Sequence, residues 1–286
     1  MNNIIEVKNL VKKYKDGFKL GPMDIKIPSG MIIGMIGENG AGKTTFIKSI
    51  LKIVKPNQGN IKIFGKDINQ EEEKIKEDIG VVLDDMFFPE ILNANDINSS
   101  MKAIYKTWDE DLFYNYLKEF DLPRNKAIKS LSKGMRKKLE IITALSHKPK
   151  LLILDEPTSG LDPVVRTEIL DLFLKFIQDE DHTILLSTHI TTDLEHVADK
   201  IIFIDKGKKI LDDDKDNIID NYAILKCDTK DFDKIEKEDI IRYKKNKYNY
   251  DILVSNKAKI KKKYRDFILD KITLEDLMVI MIKGEK

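Results

Sequence analysis

Residues 37–45 read Gly-Glu-Asn-Gly-Ala-Gly-Lys-Thr-Thr, and the first eight fit the spacing G-x-x-x-x-G-K-[ST]. That spacing suits phosphate chemistry. Gly37, Gly40 and Gly42 let backbone N–H groups turn inward around phosphate oxygens, with Asn39 and Ala41 completing the loop, and a helix that follows directs its positive end there. Lys43 supplies an ammonium for the β- and γ-phosphates, Thr44 a hydroxyl for Mg²⁺, and Thr45 continues the same turn. A second group lies at 151–156, where Leu-Leu-Ile-Leu-Asp-Glu ends an apolar run in two carboxylates. Adjacent acids closing a buried strand are costly unless they have work to do. Asp155 is placed to hold Mg²⁺ through water, and Glu156 to orient or deprotonate an attacking water. The phosphate loop alone would suit a kinase or a GTPase as well.

The elements that must position these groups are legible as patterns. Residues 31–36 form an apolar run that predicts a buried strand entering the loop, and Phe46, Ile47, Ile50, Leu51 and Val54 recur at helical spacing before Pro56. Short apolar runs at 79–83, 151–154 and 184–187 predict inner strands of a mostly parallel sheet. Strand-like residues 4–7 and 24–27 flank a polar turn at 15–17, which predicts an N-terminal antiparallel β part. The polar-faced helical stretch from about 89 to 147 reads as a helical lobe inserted between strands. The fold class is therefore α/β, a phosphate-loop nucleotide-binding core with this lobe and a small C-terminal accessory region. The division falls after residue 211, giving 1–211 and 212–286, with 212–217 read as a charged linker. In the lysine-rich tail, Ile260, Tyr264 and Phe267 share one helical face, which predicts a helix docking its apolar stripe on the accessory region; 273–282 reads as a capped helix.

Composition narrows the setting. With 50 basic and 49 acidic residues among 286, the formal net charge is +1, so no bulk field draws the chain to nucleic acid or anionic lipid. The single cysteine, Cys227, has no internal disulfide partner and no second thiol for a zinc site, which suits a reducing cytoplasm. The opening residues lack the basic start and apolar run of a signal peptide, and no apolar stretch is long enough to span a bilayer. Any membrane is expected to be met from its surface.

Further segments give the class. Leu131-Ser-Lys-Gly-Met135 opens a helix with Ser132 as its N-cap, Ser159-Gly-Leu-Asp162 follows the paired acids, and His189 ends the strand-like run 183–188. In this order, over roughly the first 210 residues, the pieces resemble the nucleotide-binding subunits of ABC transporters. The family pattern Leu-Ser-Gly-Gly-Gln is matched at Ser132 and Gly134 and departed from at Lys133 and Met135, with Lys133 expected to face solvent. The resemblance implies ATP as substrate with Mg²⁺. It also implies that Ser132 and Gly134 contact the γ-phosphate held by an opposite subunit, that Asp162 is an interface carboxylate, and that His189 is the switch histidine beside the γ-phosphate. Tyr14 matches the aromatic that stacks on adenine, with Phe18 as a substitute. Where the family carries a glutamine that senses Mg²⁺ and the membrane partner, this chain has Asp84 and Asp85, followed by the apolar Met86, Phe87, Phe88 and Pro89. That departure is similar to a branch of exporter ATPases acting on antimicrobials and amphipathic peptides, phenol-soluble-modulin exporters among them.

The resemblance thus implies a peripheral subunit at the cytoplasmic face of the membrane, paired with a membrane-spanning subunit and with a second ABC ATPase subunit, identical or related. Nucleic acid is not expected. The rival reading, a soluble ABC ATPase acting on ribosomes or DNA, would call for two cassettes in one chain or a long coiled-coil insertion. One phosphate loop and a short helical lobe favour the transporter.

Overall fold

The computed structural model describes residues 2–84 and 88–285, so Asp85, Met86 and Phe87 lie outside the described residues. The chain opens with a hairpin of β1 (Asn3–Lys13) and β2 (Lys19–Pro28), paired antiparallel from Asn3↔Pro28 to Lys13↔Lys19. Next comes β3 (Ile32–Ile36), buried along its whole length, and α1 (Lys43–Ile50) on the far side of the phosphate loop. β4 (Gln58–Ile63) and β5 (Lys66–Asp67) complete an antiparallel sheet in the order β2-β1-β4-β5. After α2 (Glu72–Glu77) and β6 (Ile79–Val82), three successive helices follow: α3 (Ala94–Ile104), α4 (Glu110–Glu119) and α5 (Lys133–Leu145). Each starts at a side chain that caps its orphan N–H groups, Asn93, Asp109 and Ser132 respectively.

The chain then alternates β7 (Leu151–Asp155), α6 (Pro163–Phe176), β8 (Thr183–Thr188), α7 (Thr191–Val197) and β9 (Lys200–Asp205) before β10 (Lys208–Asp214). The central sheet runs β10-β9-β3-β8-β7-β6, parallel throughout except for the β9–β10 hairpin. Helices cover both faces, so alternate residues of one strand feed two cores. Ile33 and Met35 join Phe46 and Ile47 of α1, whereas Ile32 and Ile36 join Ile142, Phe173 and Leu194 on the other side. This order brings the carboxyl ends of β3, β7 and β8 together, which is where open α/β sheets hold ligands.

Three sequence expectations change here. The helix after the phosphate loop stops at Ile50, because Lys52 turns left-handed at φ 56° and the Val54 N–H returns to the Lys48 carbonyl. Residues 212–217 are not a linker: Asp212 to Asp214 finish β10, and α8 (Lys215–Asn221) begins at once. The acids are tolerated because β9 provides a backbone ladder and Asp212 sits between Lys200 at 3.0 Å and Lys209 at 2.7 Å.

The C-terminal part forms its own antiparallel sheet from β11 (Ala223–Asp228), β12 (Arg242–Lys245), β13 (Asn249–Val254) and, after α9 (Lys257–Lys263), β14 (Ile268–Lys271), in the order β12-β13-β11-β14. α10 (Leu274–Lys283) ends the described chain with the capping box expected of Thr273, completed by Asp276. The third difference is that α9 ends at Lys263, so Tyr264 caps it and Phe267 lies beyond. Ile260 and Tyr264 nevertheless bury against Leu225 and Ile252. The opposite face of the sheet, with Ile224 and Leu253, and Leu277 of α10 join the main core, and the Leu274 N–H donates to Glu195 of α7 at 2.8 Å.

Candidate functional site

The phosphate loop is held where only small residues fit. A Cβ on Gly37 would lie 2.3 Å from the Ile204 carbonyl oxygen of β9. Gly42, the residue before α1, has φ 113°, and a Cβ there would press on Leu20 at 2.9 Å. Close packing on one side leaves the other side of the loop open as a cleft of about 450 Å³. Tyr14, Asn39, Gly40, Gly42, Lys43, Thr44, Thr45, Asp84 and Glu156 line it, and all of them are residues the sequence singled out for this site. Ala41 is buried behind the loop, its N–H bonded to the Glu38 carbonyl at 3.0 Å and its carbonyl accepting from Gly207 at 2.8 Å. Asp16 and Glu38 also line the cleft and were missed, since Asp16 does not stand out in a polar turn and Glu38 fills a position of the loop that the spacing leaves open. Tyr14 and Phe18 both reach it, their ring centroids 6.2 Å apart, so the aromatic wall is a pair.

Charge is concentrated at the floor. The Lys43 ammonium, only 5% exposed, donates to the Gly37 carbonyl at 2.7 Å and stands 3.2 Å from Glu156 Oε1. Glu156 follows β7 in a left-handed conformation at φ 51°, and its N–H is held by the Ser187 carbonyl at 2.9 Å. A non-glycine residue held there stores backbone strain of about 1–3 kcal/mol, which the surrounding structure must over-determine. Its second oxygen accepts from His189 Nδ1 at 2.8 Å, which leaves Nε2 for another partner. Asp155 is fully buried; Ser187, opposite it in the β7–β8 register, donates a short hydrogen bond to one oxygen. The other oxygen, Oδ2, has no hydrogen-bond partner among the described residues.

Such an arrangement fits a triphosphate with a divalent cation. A buried carboxylate oxygen left without a donor is costly, and a cation or its water shell would relieve that cost. Thr44 and Asp84 face the same cleft with oxygen donors of the kind Mg²⁺ takes. The ammonium that would meet the phosphates is meanwhile satisfied by a backbone carbonyl and Glu156.

Ser132, Gly134 and Asp162 do not line this cleft; they form a separate face. Ser132 Oγ accepts from the Met135 N–H at 3.2 Å, and Asp162 accepts from Val164 and Val165 at 3.1 Å each, so both side chains cap helices. A Cβ on Gly134 would stand 3.1 Å from a Val165 methyl, which makes the glycine the close contact between α5 and α6. Lys133 is exposed, as expected. Its ammonium lies over Gly160, 2.4 Å from where a Cβ would be.

A smaller groove of about 220 Å³ opens beside the strand that leads to Asp84, lined by Val82, Leu83, Phe88, Met101, Tyr105 and His147 among others. His147 is 2% exposed and stacks on Tyr105 with centroids 4.1 Å apart; burial pushes its imidazole down to about 4.

Comparison with known proteins agrees with this geometry. The sequence model of the family described as "ABC transporter" matches residues 20–159. The chain is 35% identical over 213 residues to the bacitracin transport ATP-binding protein BcrA of Bacillus licheniformis, covering 73% of this chain and 69% of that protein. It is 33% identical over 215 residues to the lantibiotic transport ATP-binding protein SrtF of Streptococcus pyogenes, covering 74% and 92%. A solved ATP-binding subunit of an ABC transporter superposes with a TM-score of 0.69 at 28% identity, covering 75% of this chain and 91% of that one.

Proposed function

This chain belongs to the ABC transporter family as an ATP-binding subunit, and from that premise we propose that it hydrolyses ATP to drive a separate membrane-spanning subunit that exports peptides or antimicrobial compounds. The observation that carries the hydrolytic reading is the contact series running from the buried Lys43 through Glu156 to the half-exposed His189, beside the open oxygen of Asp155. The phosphate-loop N–H groups and Lys43 bind the phosphates, Tyr14 with Phe18 flanks the base, and Glu156 orients the water and takes its proton. His189 holds Glu156 in place through Nδ1. Bound Mg²⁺, held by Thr44, Asp155 and Asp84, would offset negative charge on the phosphates.

Ser132, Gly134 and Asp162 are assigned to a second copy or a close relative, completing the partner's nucleotide site across a dimer. Ser132 and Asp162 are exposed and Gly134 is buried between their helices, all three away from the cleft, which supports that division of labour. The reading keeps the two parts expected as 1–211 and 212–286, nucleotide-binding and accessory, with the division moved past β10, which carries the central sheet to Asp214. Among the described residues no helix is long and apolar enough to cross a membrane. The groove at Phe88, Met101 and Tyr105 is the surface assigned to the membrane partner, at the cytoplasmic face. The printed names of the bacitracin and lantibiotic relatives support export of such compounds. Glu156→Gln tests the hydrolytic core: turnover should fall at least about a hundredfold while ATP binding persists. Full turnover in that variant would remove Glu156 from the role.

A further inference from the structure

Glu156 and His189 sit on different segments, and their 2.8 Å hydrogen bond needs those segments held in register. Two residues beyond Glu156, Thr158 is fully buried and donates a short hydrogen bond to Asp193 Oδ2. Asp193 lies in the first turn of α7, the helix that starts directly behind His189, and is itself 2% exposed. An acid in the first turn of a helix usually faces water and favours the helix dipole. Here it turns inward instead, and no side chain caps α7. The third member is Arg166 of α6, whose Nε stands 3.9 Å from Asp193 Oδ1 and has no hydrogen-bond partner among the described residues. Burial pushes the Asp193 carboxyl above its ordinary value, Thr158 and Arg166 lower it, and the charges of Glu156 and His189 both reach it.

We infer that Asp193 is a positioning residue for hydrolysis: by holding Thr158 and facing Arg166, it clamps the Glu156 segment, α6 and α7 together and so fixes the Glu156–His189 contact. The inference rests on Glu156 and His189 acting as proposed above. A buried hydroxyl–carboxylate bond is a strong and directional tie. It joins the segment that follows the strand-end acid to the helix that begins just after His189, without lining the nucleotide cleft itself. Asp193 therefore governs turnover rather than ATP affinity.

The test is steady-state ATPase activity of the full chain, with kcat and KM for ATP read separately. Thr158→Val, which removes the hydroxyl at nearly constant volume, should lower kcat on the order of tenfold or more, with KM within about threefold. Thr158→Ser should restore kcat to within about threefold of the parent, since it keeps the donor. The pair Thr158→Val with Asp193→Asn should lower kcat no further than the worse single change, as members of one contact are not additive. Asp193→Asn alone carries the same kcat and KM readouts should Thr158→Val not fold. Glu156→Gln is measured alongside. If it keeps turnover, the hydrolytic reading fails and takes this inference with it. If it loses turnover while Thr158→Val stays within threefold of the parent, or moves kcat and KM together, the clamp alone is overturned.

Discussion

The nucleotide cleft and the face at Ser132, Gly134 and Asp162 differ in how their polar groups are satisfied. In the cleft, charges are buried and one is incompletely partnered: Asp155 Oδ2 has no donor among the described residues, while the Lys43 ammonium is held by a backbone carbonyl and Glu156 until phosphate arrives. On the other face, each side chain closes a helix end, Ser132 at α5 and Asp162 at α6. The first region is built for a small anionic ligand that completes its bonding. The second is complete as it stands, and what it offers is two locked helix N-termini, positive ends suited to an anion brought by another molecule.

The comparison is broken most strongly at Lys43. Lys43→Ala removes a buried ammonium from Glu156 and from the phosphates, at about 4 kcal/mol, so ATP affinity should fall on the order of a thousandfold by titration calorimetry. Unchanged affinity would mean that the cleft binds phosphate by backbone alone.

His147 sharpens the contrast from beside the cleft, where burial holds an imidazole neutral. Its folded value is pushed down to about 4 from an ordinary 6.5. Above pH 6.5 both folded and unfolded chains keep it neutral, and it costs nothing. As pH falls from 6.5 towards 4 the unfolded chain takes up the proton and the folded chain does not, so about 3 kcal/mol of stability is lost across that window. Urea unfolding at pH 7 and pH 4.5 should show a clearly smaller loss in His147→Gln than in the parent. Equal losses would refute the assignment.

The smallest effect is expected at Gly134. Gly134→Ala pushes Val165 aside without touching the cleft, so ATP affinity should hold within about twofold while turnover falls roughly tenfold. A loss of affinity instead would show that the two regions are not independent.

The same division explains what was legible in the sequence. The cleft was readable because its chemistry sits in short contiguous runs: the loop at 37–45, the acids at 155 and 156, the histidine after β8. Ser187 was not readable, because its bond to Asp155 is a product of strand register and not of spacing. Thr158 and Asp193 escaped for the same reason, being 35 residues apart in the chain. The run at 212–217 was misread because local charge suggested solvation, whereas tertiary pairing with β9 and two lysines decided the outcome. Helix α1 was read too long because its apolar spacing continues past the point where Lys52 turns.

The central claim is that cleft and face complete one another only across two copies or a copy and its relative. Sedimentation velocity of the Glu156→Gln chain with and without ATP and Mg²⁺ tests it most directly. The account predicts a monomer without nucleotide and a dimer with it, with Gly134→Ala in the same background weakening the dimer. A chain that binds ATP yet stays monomeric at every nucleotide concentration, including when joined to its membrane partner, would contradict it.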